Sequence, residues 1–176
     1  YLALGFPIHK GVGVSAGLVP FSYMGYGLTQ DRSFSNETET LTFTNNYVGS
    51  GGFNRAYTNI GASIFKGFSL GTTVSLVFGT INQKRDALFS HPETLNRRDE
   101  YSYTVIDYMY DFGAQYQTGF FGKTITFGAT YFPQSNLNST NKGYTYTYDV
   151  LNGFENPRDT VDVFSRASGG LTLPKS

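Results

Sequence analysis

The fold class this sequence predicts is all-β: an antiparallel transmembrane β-barrel. Three observations lead there. Period-two alternation recurs along the chain, while no 3.6-residue period is sustained. The chain is rich in Phe (16), Tyr (14) and Gly (21), yet only 15% of its 176 residues are charged, against about 25% in an ordinary soluble domain. Tight turns alternate with long polar connections, the asymmetry of outer-membrane barrels with their short periplasmic turns and longer outer loops.

Six long strands are expected, over 12–33, 38–64, 68–84, 100–117, 123–135 and 143–167. In the first, Val12, Val14, Ala16 and Leu18 alternate with Gly13, Ser15 and Gly17. In the second, Ile60, Ala62 and Ile64 alternate with Gly61 and Ser63. The third is the clearest: Phe68, Leu70, Thr72, Val74, Leu76 and Phe78 form one face, and Ser69, Gly71, Thr73, Ser75, Val77 and Gly79 the other. The fourth sets Ile106, Tyr108, Tyr110, Phe112, Ala114 and Tyr116 against Asp107, Met109, Asp111, Gly113 and Gln115. The fifth carries Ile125, Phe127, Ala129 and Tyr131, and the sixth Tyr144, Tyr146 and Tyr148. The sixth is interrupted near Asn152 to Pro157. Tight turns fall at 9–11, 65–67 and 118–122, and polar loops at 31–40, 84–100 and 133–143. Eight of the 26 charged residues lie in 84–100.

Composition also excludes. Zero net charge removes the electrostatic case for nucleic acid. The absence of Cys removes disulfides and thiolate metal sites. No apolar run is long enough for a membrane-spanning helix, and the aromatic content argues against disorder. A soluble β-domain would carry Lys, Glu and Arg on its solvent face. Here the polar faces are Ser, Thr, Gly and Gln, which suits an enclosed lumen. Six strands are fewer than the roughly eight a closed membrane barrel needs, and lipid does not tolerate open edges. Residues 1–176 are therefore expected to be a single barrel segment, part of a larger wall in the bacterial outer membrane, in contact with its lipid and lipopolysaccharide.

Several stretches carry a resemblance: Leu4-Gly5-Phe6-Pro7, Gly17-Leu18-Val19-Pro20-Phe21-Ser22, Gly51-Gly52-Phe53-Asn54-Arg55-Ala56-Tyr57, Leu76-Val77-Phe78-Gly79 and Gly128-Ala129-Thr130-Tyr131. In these the chain resembles the FadL-like long-chain fatty acid transporters of the outer membrane, in their Bacteroidetes form. The resemblance implies a barrel of roughly fourteen strands with passive uptake of hydrophobic small molecules. It also implies an N-terminal hatch and further C-terminal strands, which have no counterpart in this chain. A second reading within it is a non-transporting barrel that serves as shuttle or plug of a protein secretion system such as type 9. A general porin fits less well, because inward charges are scarce.

Candidate site residues follow. Phe21, Phe53, Met109 and Phe132 are expected to line a hydrophobic ligand path. Arg55, Asp107 and Asp111 are expected in the lumen, with Arg55 a partner for the carboxylates. The two Asp lie about 13 Å apart along a strand, farther than paired glycosidase carboxylates. Pro20 is a candidate strand kink, since Pro cannot donate to the ladder. His9 and His91 have no metal-ligand spacing around them. Gly49-Ser50-Gly51-Gly52 lacks the Lys-Ser/Thr of a phosphate loop. Asn36-Glu37-Thr38 and Asn138-Ser139-Thr140 match the N-glycosylation sequon, and Asp159-Thr160-Val161 a short O-glycosylation motif. No catalytic residue, metal or cofactor is expected, and the chain is read as a non-enzyme.

Overall fold

The computed structural model describes residues 1–35, 40–91 and 94–173. All the regular structure among them is antiparallel strand: β1 (Leu2–His9), β2 (Val12–Ser35), β3 (Thr40–Phe65), β4 (Phe68–Phe89), β5 (Asn96–Phe120), β6 (Lys123–Tyr131), β7 (Ser135–Leu151) and β8 (Phe154–Leu173). They form one open sheet in the order β1-β2-β3-β4-β5-β7-β8, with β6 also paired to β5. The all-β antiparallel class holds; the strand count of six does not. The sequon at 36–38 lies outside the described residues, and that at 138–140 lies within β7.

Two strands separate eight from six. Leu2, Leu4, Phe6 and Ile8 alternate like the other strands, and β1 pairs with β2 from Leu2↔Leu18 to His9↔Val12. The expected sixth strand is two, split at Asn152-Gly153. Both residues have positive φ (55° and 82°), as a two-residue Asn-Gly hairpin turn requires.

The polar stretches 84–100 and 133–143 are largely strand rather than loop. Between β4 and β5, Lys84 faces Glu100, Arg85 faces Asp99 and Asp86 faces Arg98. Opposite charges directly across a ladder stabilise it, so the charge that suggested a loop extends the hairpin. Strands β2 to β5 run 24, 26, 22 and 25 residues, at least twice the roughly 9–11 that a membrane span needs.

β6 and β7 lie along the same edge of β5. β6 pairs with Phe112–Phe120 and β7 with Asn96–Val105. Between them six residues of β5 (106–111) face seven (132–138), so one extra residue is accommodated beside Pro133.

Register assigns the faces, since directly paired residues share one. The inner face carries the buried cluster Phe53, Val77, Val105, Met109 and Leu137, with Ile81 packed against it. The outer face carries a belt from Phe68 to Phe78 on β4. Its neighbours at the same height include Leu4, Phe6, Leu18, Ile60, Ile106, Tyr110, Phe112, Phe127 and Tyr131, all exposed. Above this height the outer face turns polar, with Thr80, Asn82 and Lys84 opposite Thr104, Ser102 and Glu100.

Candidate functional site

Three neighbouring strands bring Arg55 (β3), Ser75 (β4) and Asp111 (β5) together on the inner face. The Arg55 Nε donates to Ser75 Oγ at 2.8 Å, and its Nη2 pairs with Asp111 Oδ2. Ser75 and Asp111 are buried, at 1% and 8% exposure. A guanidinium held between a hydroxyl and a carboxylate neutralises the charge of both ions and ties β3 to β5 across β4. Oδ1 of Asp111 is buried with no hydrogen-bond partner.

Asp107 lies apart from this pair. It accepts from the Tyr108 amide at 2.7 Å and, through Oδ2, from the Asn138 amide and side chain at 2.8 and 2.9 Å. It therefore pins the start of β7 to β5.

The four expected path residues do not form a path. Phe53 and Met109 are packed into the buried cluster with Val77 and Val105. Phe132 borders a groove with Arg55 and Asp111. Phe21 is the unpaired residue of a bulge, because Pro20 pairs with Asn54 and Ser22 with Phe53. Pro20 itself stands at that irregularity, two residues beyond the end of the β1–β2 ladder.

A second polar cluster, unforeseen from the sequence, sits at the opposite end of the strands from the turns at 9–11, 65–67 and 121–122, beside the Asn152-Gly153 turn. Arg98 donates to Asp86 at 2.5 Å, to both oxygens of Glu155 at 2.5 and 2.8 Å, and to the Tyr146 hydroxyl at 3.2 Å. Its guanidinium stacks over Tyr148, 4.7 Å from the ring centre, a favourable cation–π contact. The Glu155 hydrogen bonds hold Arg98 even more firmly protonated than usual. The same bond to Arg98 keeps the Glu155 carboxyl below its ordinary value, and burial pushes the Tyr148 phenol up. The signal available in sequence was the cross-strand charge complementarity of 84–86 with 98–100. Among the described residues no group of His, Asp and Glu is arranged to hold a metal ion.

A tall antiparallel wall with an apolar outer belt and a neutralised polar interior defines a β-barrel-type protein. The model of the BamG family matches residues 1–176, the whole chain, and the chain belongs to that family. No curated protein and no solved structure matches it. This finding overturns the fatty-acid-transporter resemblance, and with it both hydrophobic uptake and the secretion-system shuttle or plug. The short motifs that carried that resemblance are Gly and aromatic pairs, which recur in barrel strands generally. The solid packing around Phe53 and Met109 also departs from an open apolar path. Outer-membrane and β-barrel character fits both the family and the all-β sheet.

Proposed function

We propose that this chain is a wall segment of a bacterial outer-membrane β-barrel that works as a structural component of the β-barrel assembly machinery, the system to which the family name refers. Its role is scaffolding, with no covalent chemistry. The observation that carries the reading is the outer belt. Eleven residues of β4, Phe68–Phe78, match the roughly 9–11 of a membrane strand. The outer face at that height is free of charge and then becomes polar above Phe78.

In this reading acyl chains cover the belt, and the upper half of β2 to β5 rises through the lipopolysaccharide layer. β1 is one edge at belt height, and β6 with β8 above it forms the other, with partners on one side only among the described residues. Unpaired backbone is not tolerated in lipid, so both edges pair with further strands in the assembled barrel.

The chain has no Trp, so single-Trp variants report position cleanly. In bilayers with brominated acyl chains, Tyr110→Trp in the belt is expected to be quenched strongly. Tyr144→Trp, on the outer face above the belt, should be quenched weakly. Equal quenching at the two positions would overturn the reading.

A further inference from the structure

Three tight turns close hairpins at one end of the sheet, and each carries a lysine. Lys10 lies in the turn between β1 and β2, and Lys66 in that between β3 and β4. Lys123 pairs with Phe120 where β5 turns into β6. All three are exposed, and among the described residues none has an ion-pair partner. Carboxylates are remote from this end. Of the 13 acidic residues, only Asp107 and Asp111 fall within the segments 1–30, 40–85 and 101–148. Asp111 pairs across with Thr73, which stands about 23 Å up the strand from Lys66, and it is neutralised by Arg55. Asp107 stands higher still, level with Val77. Exposed charges act over only about 8–10 Å in physiological salt. One end of a chain with zero net charge is therefore a rim of a single sign.

Register places the three turns in one plane. The closing pairs are His9–Val12, Phe65–Phe68 and Phe120–Lys123. Val12 is level with Leu70 through Ala62, and Phe120 lies four residues beyond Tyr116, the partner of Phe68. From the first closing pair to the third, the turns thus step down by six residues across four strand spacings. That is about 20 Å down for about 19 Å across, a slope of about 45°. Strands of membrane barrels tilt by about 35–45°. At that tilt the steps cancel, and all three lysines meet the same depth of the membrane surface. Exposed apolar side chains stand at the foot of the outer face beside them, with Ile8, Phe65 and Phe120 all more than half exposed. Lysine lays its stem along such a surface and keeps its ammonium in the polar layer.

We propose, on the reading that the belt spans the membrane, that Lys10, Lys66 and Lys123 form a contact for anionic phospholipid. The rim seats phosphatidylglycerol-type headgroups of the periplasmic leaflet. Three unpaired cations in one plane complement a layer of phosphodiesters that carry net negative charge. A zwitterionic headgroup brings its own cation and gains far less. Basic residues just outside a membrane span each strengthen attraction to an anionic leaflet by about fivefold. The opposite end of the strands offers no such field, because Asp86 and Glu155 flank Arg98 there and Glu100 faces Lys84. The two ends of the wall therefore differ in the lipid they favour.

The test places a single Trp at the rim, as Phe121→Trp in the full chain, reconstituted in phosphatidylcholine vesicles. Phosphatidylglycerol or phosphatidylcholine, each brominated near the glycerol end of its acyl chains, is added at equal mole fraction. Quenching at position 121 is expected to show phosphatidylglycerol enriched at least threefold over phosphatidylcholine, an enrichment that fades in high salt. Lys10→Gln, Lys66→Gln and Lys123→Gln together should abolish the preference. The corresponding Lys→Arg triple variant should keep it, which separates loss of charge from loss of structure. Tyr23→Trp, above the belt, should show no preference. Equal quenching by the two lipids at position 121, no quenching there, or a preference that survives in the Gln variant would each overturn the proposal. Displacement of phosphatidylglycerol by poly-glutamate would assign the rim to an acidic protein and overturn it as well. Strong quenching of Tyr110→Trp in the same vesicles shows whether the belt reading stands when the rim proposal fails.

Discussion

Gly79 and Gly71 lie eight residues apart on β4 and answer substitution differently. Gly79 has φ of 149°, and a Cβ there would sit 2.2 Å from the Gly52 carbonyl oxygen. Gly79→Ala therefore combines a strained backbone with a clash against rigid main chain. It is expected to cost about 3 kcal/mol or more, whereas Gly71→Ala should stay within about 1 kcal/mol. Urea unfolding of the refolded chain measures both. The sequence shows each glycine beside its alternating neighbours, but not which has a carbonyl against it, because that depends on the register of β3. The Arg55–Asp111 pair was partly legible, since both residues occupy inner-face positions of their strands. That Asp107 turns to Asn138 instead depends on the irregular segment 132–138, which carries no alternation to read.

At the scale of elements, the hairpin of β7 and β8 is fastened to β5 through Arg98 and Glu155. Glu155 is held below its ordinary value of 4.5 in the folded chain. A carboxyl depressed on folding contributes stability above its unfolded pKa and loses it as pH falls through the folded one. Amide exchange near the start of β8, taken relative to the intrinsic rate at each pH, should therefore accelerate as pH drops below about 4.5, with the change complete once the carboxyl is protonated. Glu155→Gln should show the faster exchange already at neutral pH and remove the pH dependence, at a cost below about 1 kcal/mol because the carboxylate is half exposed. The Asn152-Gly153 turn was readable as a hairpin signal. The upper halves of β4 and β5 were not, because dense charge normally marks a loop. Only the partner strand shows that each charge faces its opposite.

For the molecule as a whole, the belt makes a prediction in the bilayer. Val74 sits midway up the belt on β4, and Asn82 on the same strand above it. Val74→Arg should lower stability in lipid vesicles by about 2–4 kcal/mol, the cost of a cation near the midplane. Asn82→Arg should change it by about 0.5 kcal/mol or less. Urea titration in vesicles distinguishes them, and equal losses would remove the belt from the membrane. The all-β class and the apolar face were legible because alternation is local. The family was not, because its short motifs are common to many barrel strands. The extra residue between β6 and β7 has a consequence of its own. On β6 the odd-numbered residues Phe127, Ala129 and Tyr131 look outward, and on β7 the even-numbered Tyr144, Tyr146 and Tyr148 do. Insertions and deletions near Pro133 therefore act by phase: losing one residue would set six against six and leave every β7 side chain on its own face, while losing two would put β6 and β7 out of phase along β5.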